Sequence, residues 1–340
     1  MKIGIALSGG IDSAVAAYKL KEEGHQVIGI TFELFHSQKE TIDQAKYIAS
    51  LLNLPHHILN LKKTFEEEII SYFVNSYAKG TTPNPCAWCN KKIKFGKVLE
   101  FVIKNFKIEK FATGHYVKTG KYKGKVLLKK AKYKNKDQSY FLALINSEII
   151  PYLLFPLGDL TKEDVKALGK KLFHFLNYKE SQNICFLKNK SLKDFLSAYL
   201  PENRGVVVYK NKVVGTHPGI QWFTVGQRKG LGIPLGKPLY IVELDFKENK
   251  IILGEEKDLL SEGLILENLN FHLPLNLWTN PSAQIRYRSP IKKVKDIIKV
   301  NREYKVLFET PVKGVTPGQI CAFYEGEFLL GGGVIKKAIK

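Results

Sequence analysis

Residues 2–13 of the 340-residue chain read KIGIALSGGIDS, an apolar run followed by a glycine-rich segment. Lys2–Leu7 carries β-branched residues and predicts a buried strand. Asp12–Gly24 has helical periodicity, so the glycines between them lie in a tight turn. Backbone N–H groups in such a turn, together with the helix dipole, bind phosphate. Ser8–Ser13 is therefore predicted to be a phosphate-binding loop; a plain turn with capping side chains is the alternative.

Strands and helices continue to alternate through the first 115 residues. The predicted elements are, in chain order, strand Val27–Phe32, helix Thr41–Leu54, strand His56–Leu61, helix Thr64–Lys79 and strand Phe111–His115. This alternation predicts an α/β fold with a Rossmann-like, mostly parallel sheet that is covered on both faces. Sites in such folds lie at the carboxyl ends of the strands, where Ser8, Phe32 and Gly114 fall.

The rest of the chain changes character twice. Residues 137–200 have helical patterns, including Thr161–Leu172 with Thr161 as a predicted N-cap. Two hairpin patterns and a glycine-rich loop follow, and short β-rich pieces run from residue 263 onward. We therefore expect an α/β catalytic domain at 1–200, a small central β-rich domain at 201–262 and a C-terminal β-barrel at 263–340.

The charge of the chain indicates a polyanionic partner. Lys and Arg number 53 against 32 Asp and Glu, a net charge of +21, and residues 90–136 alone hold sixteen lysines and two glutamates. Nucleic acid is the first expectation, and a merely solvated lysine-rich surface is the alternative. The sequence has no apolar run near the ~18 residues of a membrane span, and its first residues do not resemble a secretory signal. We expect a cytoplasmic protein that does not bind membranes.

Three of the four cysteines lie in patterns typical of reactive or metal-binding thiols. Residues 82–90 read TPNPCAWCN, so Cys86 and Cys89 form a Cys-x-x-Cys pair that opens a helix. A thiol at a helix N-terminus beside lysines is expected to have a lowered pKa. Cys185 is the third thiol, in SQNICF at 181–186, and no second Cys-x-x-Cys completes a zinc site. Cys321 is predicted to be a small core residue.

The loop SGGIDS resembles the pyrophosphate loop of the adenylating ATP pyrophosphatases, which split ATP between the α and β phosphates. It is neither a Walker A loop nor GxGxxG. The resemblance implies an ATP site in which Asp12 holds Mg²⁺. The residues it assigns to ATP are Ala6, Leu7, Ser8, Gly9, Gly10, Ile11, Asp12, Ser13, Phe32 and Gly114.

Six motifs in a fixed order make the resemblance more specific. They are SGGIDS (8–13), TPNPCAWCNKKIKF (82–95), TGHY (113–116), KDQSYFL (136–142), SQNICF (181–186) and FTVGQRKGLGI (223–233). Together they resemble the bacterial tRNA-uridine 2-sulfurtransferases, also called tRNA-specific 2-thiouridylases, over essentially the whole chain. The implied reaction is adenylation of the C2 oxygen of the wobble uridine by ATP, followed by sulfur substitution that releases AMP.

The same resemblance assigns roles to residues and partners. Cys185 would receive a persulfide and Cys89 would attack it, so both are implied to be catalytic. The sulfur donor would be a cysteine desulfurase, a sulfur-relay protein or inorganic sulfide. The residues implied to contact tRNA are Asn84, Pro85 and Cys86 at the target base, and His115, Lys136, Asp137, Gln138, Arg286, Tyr287 and Gln319 elsewhere, with the β-barrel as a tRNA-contacting domain.

Cys86 departs from the family pattern, which has aspartate at this position. A thiol does not replace a carboxylate in proton transfer, and two interpretations follow. In the first, sulfur is carried as a persulfide by Cys89 and Cys185, and Cys86 is a spare or resolving thiol, so all three cysteines are candidate catalytic residues. In the second, Cys86, Cys89 and Cys185 bind a [4Fe–4S] cluster whose open iron carries sulfide.

Other functions share parts of this pattern. Another tRNA-modifying enzyme with a pyrophosphate loop is one alternative, and an ATP pyrophosphatase that amidates or ligates a small molecule is a second. The paired thiols and the lysine-dense segment disfavour the small-molecule enzymes. A non-catalytic RNA-binding protein with a structural metal is a third alternative, which the SGGIDS loop disfavours.

Overall fold

The computed structural model describes residues 1–173, 184–187, 190–233 and 236–340. The strands up to residue 154 are β1 (Lys2–Ala6), β2 (Gln26–Glu33), β3 (His56–Asn60), β4 (Lys110–Ala112), β5 (Val117–Tyr122), β6 (Lys125–Lys130) and β7 (Leu153–Leu154). Five of them form a parallel sheet in the order β3-β2-β1-β4-β7. The predicted α/β class is therefore confirmed, and the predicted strand ends differ from the observed ones by at most a few residues.

Helices cover both faces of this sheet. They are α1 (Ile11–Glu22), α2 (Lys39–Leu51), α3 (Lys62–Phe65), α4 (Ser71–Ala78), α5 (Pro85–Cys89), α6 (Leu99–Phe106) and α7 (Lys162–Leu172). On one face, Ile3 and Ile5 of β1 pack with buried alanines of α1 and α2. On the other, Ile28 and Ile30 of β2 pack with side chains of α3, α4 and α6. The alternation of side chains along each strand gives the sheet its two apolar faces.

Two π-helical segments interrupt the predicted helices. Glu66–Ile70 joins α3 to α4, and Asn90–Val98 joins α5 to α6. Within 137–200 the described residues form short 3₁₀ turns, α7 and α8 (Leu192–Leu196), rather than continuous helix. Thr161 caps α7 as predicted, because its hydroxyl accepts a hydrogen bond from the backbone N–H of Asp164 at 2.9 Å.

The hairpin β5–β6 lies outside the parallel sheet and instead extends the β-sheet of the C-terminal domain. Lys129 of β6 pairs with Phe328, and the ring of Tyr122 stacks on Phe328 with centroids 4.5 Å apart. The backbone N–H of Lys130 also donates to the carbonyl of Glu327 at 2.8 Å. Part of the lysine-dense segment therefore belongs to a surface that it shares with the C-terminal domain.

The central domain is a four-stranded sheet. Its strands are β8 (Gly205–Tyr209), β9 (Lys212–His217), β10 (Tyr240–Asp245) and β11 (Lys250–Gly254), in the order β10-β11-β8-β9. Both predicted hairpins are present, and β11 and β8 pair in parallel. The first hairpin turns at Lys210 and Asn211, which both have left-handed backbone angles (φ 49° and 60°) as expected for a two-residue hairpin turn.

The C-terminal domain is a closed β-barrel, as predicted. Its strands are β12 (Leu260–Phe271), β13 (Ser282–Gln284), β14 (Lys292–Val300), β15 (Glu303–Lys313), β16 (Ile320–Glu325) and β17 (Phe328–Ile339). β12 pairs with both β15 and β17, and this second pairing closes the ring. Cys321 is fully buried inside it, which confirms its core position.

The three domains share one apolar core. A single cluster contains Ile30 of the first sheet, Ile241 of the central sheet and Ile320 of the barrel. The domains are therefore packed together rather than joined only by linkers. In the described part of the chain, no helix is long and apolar enough to span a membrane.

Candidate nucleotide and thiol site

The Ser8–Ser13 loop lies between β1 and α1, and its own serines hold it in shape. The Ser13 hydroxyl donates to the carbonyl of Gly10 at 2.9 Å and accepts from the backbone N–H of Ser8 at 3.1 Å. Gly9 has a left-handed backbone (φ 77°), and a Cβ there would lie 2.3 Å from the carbonyl oxygen of Thr41. The first N–H groups of α1 have no partners within the helix, so this compact loop has the geometry of an anion site.

Asp12 is paired with a distant lysine. The Lys162 ammonium donates to both carboxylate oxygens of Asp12, at 2.5 and 2.8 Å, and the Tyr116 hydroxyl donates to one of them at 2.7 Å. Lys162 is only 6% exposed, whereas the Asp12 side chain is 36% exposed. The start of α7 is therefore attached to the loop that opens α1. Sequence reasoning missed Lys162 and the hydroxyl of Tyr116.

Gly114 lies directly against the same loop. A Cβ at this position would be 2.9 Å from the backbone carbon of Asp12 and 3.0 Å from the nitrogen of Ser13. Only glycine permits this approach without displacing the backbone. Phe32, at the end of β2, is half-buried at the same edge of the sheet. The carboxyl ends of β1, β2 and β4 therefore meet, as the sequence predicts.

The first two thiols lie on a helix that is fixed at its start. The Asn84 side chain accepts a hydrogen bond from the backbone N–H of Ala87 at 3.0 Å, and Pro85 occupies the first helical position. Both are favoured at these positions. Cys86 and Cys89 are three residues apart on α5 and share a face of it.

All four cysteines are free thiols. Cys86 and Cys185 are exposed to solvent and Cys89 is buried. Desolvation by the surrounding protein, followed by the nearby Cys185, raises the pKa of the Cys86 thiol to about 11, although the charge of Lys94 opposes this shift. Complete burial raises the pKa of Cys89 to about 12. Burial also raises the pKa of Cys185. The predicted lowering of the thiol pKa is therefore wrong, because desolvation outweighs the helix N-terminus and the nearby cation.

The raised pKa of Cys86 has a measurable consequence. We expect its rate of alkylation by iodoacetamide to keep rising between pH 8 and pH 10, because the thiolate fraction grows tenfold per pH unit until the pKa is reached. Peptide mapping by mass spectrometry separates Cys86 from the other cysteines. The urea-unfolded chain is the control, and its rate should level off near pH 9. A rate for folded protein that levels off below pH 8 would contradict the raised pKa.

Lys94 is a third residue whose role the sequence did not reveal. Its charge is the second-largest influence, after burial, on the pKa of Cys89 and of Cys185, and it lowers both. The same charge opposes protonation of His115. Lys94 is half-buried and forms no ion pair with a carboxylate among the described residues. It follows Cys89 by five residues across a π-helical segment, where about 4.4 residues complete a turn, which brings i and i+5 toward one face. The one sequence signal for a role of Lys94 is its position within the motif at 82–95.

The three thiols do not form a metal-binding group in this arrangement. Within the described ranges, no three histidine, cysteine, aspartate or glutamate side chains lie close enough together to hold a metal ion. Cys86, Cys89 and Cys185 are all described, whereas Ser181, Gln182 and Asn183 of the third motif lie outside the described residues. The chain as described therefore does not fit a [4Fe–4S] cluster on these cysteines.

His115 is held inside the site as a neutral ring. Its Nδ1 lies 2.7 Å from the hydroxyl of Thr113, and the rings of Phe95 and Phe155 pack against it at 5.9 and 6.4 Å. Burial, followed by the charge of Lys94, lowers the pKa of His115 well below its usual value. His115 is therefore uncharged at neutral pH, which limits it to hydrogen bonding and stacking.

Two of the residues implied to contact tRNA fix a loop in this structure. The Asp137 carboxylate accepts hydrogen bonds from the backbone N–H of Ala131 at 2.8 Å and the hydroxyl of Ser139 at 2.6 Å. The Gln138 side chain accepts from the backbone N–H of Tyr116 at 2.9 Å, and this bond connects KDQSYFL to TGHY. Lys136 beside them is half-buried.

Three of the residues predicted to contact tRNA lie in the C-terminal barrel. The ring of Tyr287 packs on Phe141 with centroids 4.5 Å apart, and Arg286 is exposed beside it. Gln319 lies on another barrel turn, where its side-chain amide donates to the carbonyl of Thr82 at 3.0 Å. Barrel residues therefore contact the KDQSYFL motif and the loop that precedes α5.

Comparison with protein families gives the class. Residues 1–189 match the family model described as the tRNA methyl transferase HUP domain. Residues 193–255 match its PRC-barrel domain, and residues 261–335 match the aminomethyltransferase β-barrel domain. The chain is a HUP-domain protein with two appended β-domains.

Curated relatives identify the family more narrowly. The tRNA-specific 2-thiouridylase MnmA of Aquifex aeolicus is 40% identical over 357 aligned residues, which cover 100% of both chains. Those of Hydrogenobaculum sp. and Persephonella marina are 40% and 38% identical, and each alignment covers 98% of this chain and 100% of the relative. The chain belongs to the tRNA-specific 2-thiouridylase family.

Proposed function

We propose that this protein catalyses the ATP-dependent 2-thiolation of the wobble uridine of tRNA. The observation that carries the proposal is the series of contacts that leads from the Ser8–Ser13 loop toward the thiols. Gly114 lies against the loop, and Lys94 acts on both the neighbouring His115 and Cys89. The chain also matches 2-thiouridylases from end to end. The family models have descriptions that refer to methyl transfer, whereas the curated names specify thiolation. Three free thiols around Lys94 favour sulfur transfer.

The first half-reaction is adenylation at the Ser8–Ser13 loop. The residues proposed to bind ATP are Ala6, Leu7, Ser8, Gly9, Gly10, Ile11, Asp12, Ser13, Phe32 and Gly114. The uridine C2 oxygen attacks the α-phosphate, pyrophosphate leaves, and C2 then carries a good leaving group. The described geometry does not fit a resident Mg²⁺ on Asp12, because Lys162 and Tyr116 already occupy its oxygens. We assign no step to a metal there.

The second half-reaction uses Cys185 and Cys89. A donor of sulfane sulfur, or sulfide with an oxidant, loads Cys185 as a persulfide. The terminal sulfur attacks C2 and AMP leaves; Cys89 then attacks the inner sulfur, which gives 2-thiouridine and a Cys89–Cys185 disulfide. Two equivalents of an external thiol, or one dithiol, reduce that disulfide with two electrons and are themselves oxidised to a disulfide. The exposure of Cys185 suits loading by a partner, and the burial of Cys89 protects the intermediate from water.

The tRNA would lie over the surface where the domains meet. Asn84, Pro85 and Cys86 start α5 and would line the target base, with neutral His115 nearby. Lys136, Asp137, Gln138, Arg286, Tyr287 and Gln319 are the further proposed contacts. The lysines at 90–136 supply the positive charge that a phosphate backbone requires. Four free cysteines are consistent with a reducing cytoplasm.

Nucleoside analysis tests the proposal directly. Purified protein is incubated with unmodified tRNA, ATP and a sulfur source, either a cysteine desulfurase with cysteine or sulfide with an oxidant. A dithiol is then added to reduce the disulfide that each turnover leaves. We expect 2-thiouridine at the wobble position only when ATP and sulfur are both present, with one AMP formed per thiolation. Absence of 2-thiouridine with every sulfur source, together with ATP turnover that tRNA does not stimulate, would refute the function.

An iron assay separates the two sulfur carriers. The persulfide route predicts that anaerobically purified protein is colourless, contains no stoichiometric iron or acid-labile sulfide, and is fully active. If the protein contains four irons per chain and the Cys86→Ala variant contains none, the persulfide route is wrong and the [4Fe–4S] cluster carries the sulfur. The Cys321→Ala variant is the matched control, because Cys321 lies in the barrel core.

Gly114→Ala tests the nucleotide site. The added methyl group meets the backbone of Asp12 and Ser13, and overpacking of this kind costs about 1–3 kcal/mol, which corresponds to about 5- to 150-fold. We expect KM for ATP to rise within that range. Gly124→Ala is the control: Gly124 has a left-handed backbone in the β5–β6 turn with open space around it, so this variant should lose stability without changing KM for ATP. An unchanged KM in Gly114→Ala would contradict the site.

A further inference from the structure

Thr82 is the point where all three domains are hydrogen-bonded together. Its backbone N–H donates to the carbonyl of Pro317 at 2.8 Å, and its carbonyl accepts from the side-chain amide of Gln319 at 3.0 Å. Its hydroxyl lies 3.1 Å from the hydroxyl of Thr224 in the central domain. Only three residues separate Thr82 from Cys86, and two of them are prolines, so its position sets where α5 begins.

The barrel turn at 316–319 is itself fixed. The backbone N–H of Gly318 donates to the carbonyl of Ile335 at 2.7 Å, and that of Ile335 donates to the carbonyl of Gln319 at 2.8 Å. Gly318 has a left-handed backbone (φ 90°), and a Cβ there would lie 2.8 Å from the carbonyl oxygen of Thr82. The turn therefore approaches Thr82 as closely as backbones allow and does not move independently of β17.

The side chain of Gln319 faces the loop rather than solvent. Its Nε2 is 3.0 Å from the carbonyl oxygen of Thr82 and 3.3 Å from that of Pro83. Two carbonyl acceptors fix the orientation of the amide, because only its NH₂ end donates hydrogen bonds. Both N–H groups are thereby used inside the protein.

We propose that Gln319 is a positioning residue that holds the loop at Thr82–Pro83 and thereby places α5 and its thiols. The expected effect on thiolation rests on the proposed function. The contact between Gln319 and the loop at Thr82–Pro83 does not, because it is present in the protein without tRNA or ATP. The barrel then contributes to turnover and not only to tRNA binding. A residue that only contacts tRNA would affect tRNA affinity and leave the loop unchanged.

Gln319→Glu is the sharpest test, because the carboxylate keeps the shape of the side chain and has no N–H to donate. We expect kcat for 2-thiouridine formation at saturating tRNA to fall about 10- to 100-fold, the range for displacement of a catalytic group by up to about 1 Å. Loss of a tRNA contact at Gln319 raises the Kd for tRNA but does not lower kcat at saturating tRNA, so a fall in kcat separates the positioning role from tRNA binding. Without ATP or tRNA, alkylation of Cys86 by iodoacetamide should become several-fold faster as the loop loosens.

Gln319→Met supplies a neutral variant of similar length if the glutamate prevents folding, and we expect the same pattern. Gln284→Glu is the matched control, because Gln284 also donates from a barrel strand to a backbone carbonyl, that of Ser289, away from Thr82. Its kcat and its Cys86 alkylation rate should equal those of the unmodified protein. Weaker tRNA binding with unchanged kcat and unchanged alkylation in both Gln319 variants would overturn the inference. The alkylation measurement remains decisive even if no 2-thiouridine forms.

Discussion

Cys89→Ser and Cys185→Ser are each expected to abolish 2-thiouridine formation while leaving tRNA-dependent exchange of pyrophosphate with ATP intact. The loss should be at least about 10³-fold, because removal of a covalent nucleophile leaves only binding and electrostatic contributions. A serine hydroxyl neither carries a persulfide nor reduces one. The proposed site of adenylation is the Ser8–Ser13 loop, which is held by hydrogen bonds among its own residues, so adenylation should keep its rate.

The two cysteine variants should block different steps of the proposed sulfur transfer. Cys185→Ser lacks the sulfur acceptor, so it should accumulate no persulfide after treatment with the donor. Cys89→Ser should still load Cys185 and then fail to release product. Mass spectrometry of the protein after loading distinguishes them by the 32 Da of one sulfur atom.

Cys321→Ala controls for the removal of a cysteine in general. Cys321 is buried in the barrel core, where a change from thiol to methyl costs stability but no chemistry. Cys86→Ala should retain turnover under the persulfide route. Full 2-thiouridine formation by Cys89→Ser or by Cys185→Ser would contradict the proposed sulfur path.

The local features of the site follow from sequence because neighbouring residues determine them. The Ser8–Ser13 loop is formed by hydrogen bonds within six residues, and the cap of α5 by bonds within four. Strand and helix alternation likewise predicts the parallel sheet and the meeting of Ser8, Phe32 and Gly114 at one edge. These predictions need no knowledge of distant contacts.

The features that sequence reasoning missed depend on residues far apart in the chain. Lys162 is 150 positions from Asp12 and looks like an ordinary first-turn lysine, and Gln319 is 237 positions from Thr82. The pKa of Cys89 was predicted in the wrong direction because the sequence shows the helix N-terminus and the lysines but not the burial around the thiol. Burial is a property of the folded chain.

Lys162→Met is the second substitution with a large expected effect. It leaves the Asp12 carboxylate without its cation at the N-terminus of α1, in the proposed binding site for the ATP triphosphate. Breaking a buried pair costs about 3–5 kcal/mol, and the partial exposure of Asp12 reduces this to about 1–3 kcal/mol. We expect a lower Tm and a fall in kcat/KM for ATP of about 10²-fold, with kcat and KM both affected, since the uncompensated charge repels the phosphates.

A double variant shows whether the pair or the carboxylate matters. Asp12→Asn/Lys162→Met removes both charges, so it should be more stable than Lys162→Met and recover part of the pyrophosphate exchange activity. Lys162→Arg keeps the charge and should lie between Lys162→Met and the unmodified protein. A double-mutant cycle on Tm and on exchange rate measures the coupling directly. A double variant that regains stability but remains as inactive as Lys162→Met would contradict a purely positioning role for the pair, because the Asp12 carboxylate itself would then be required in the adenylation step.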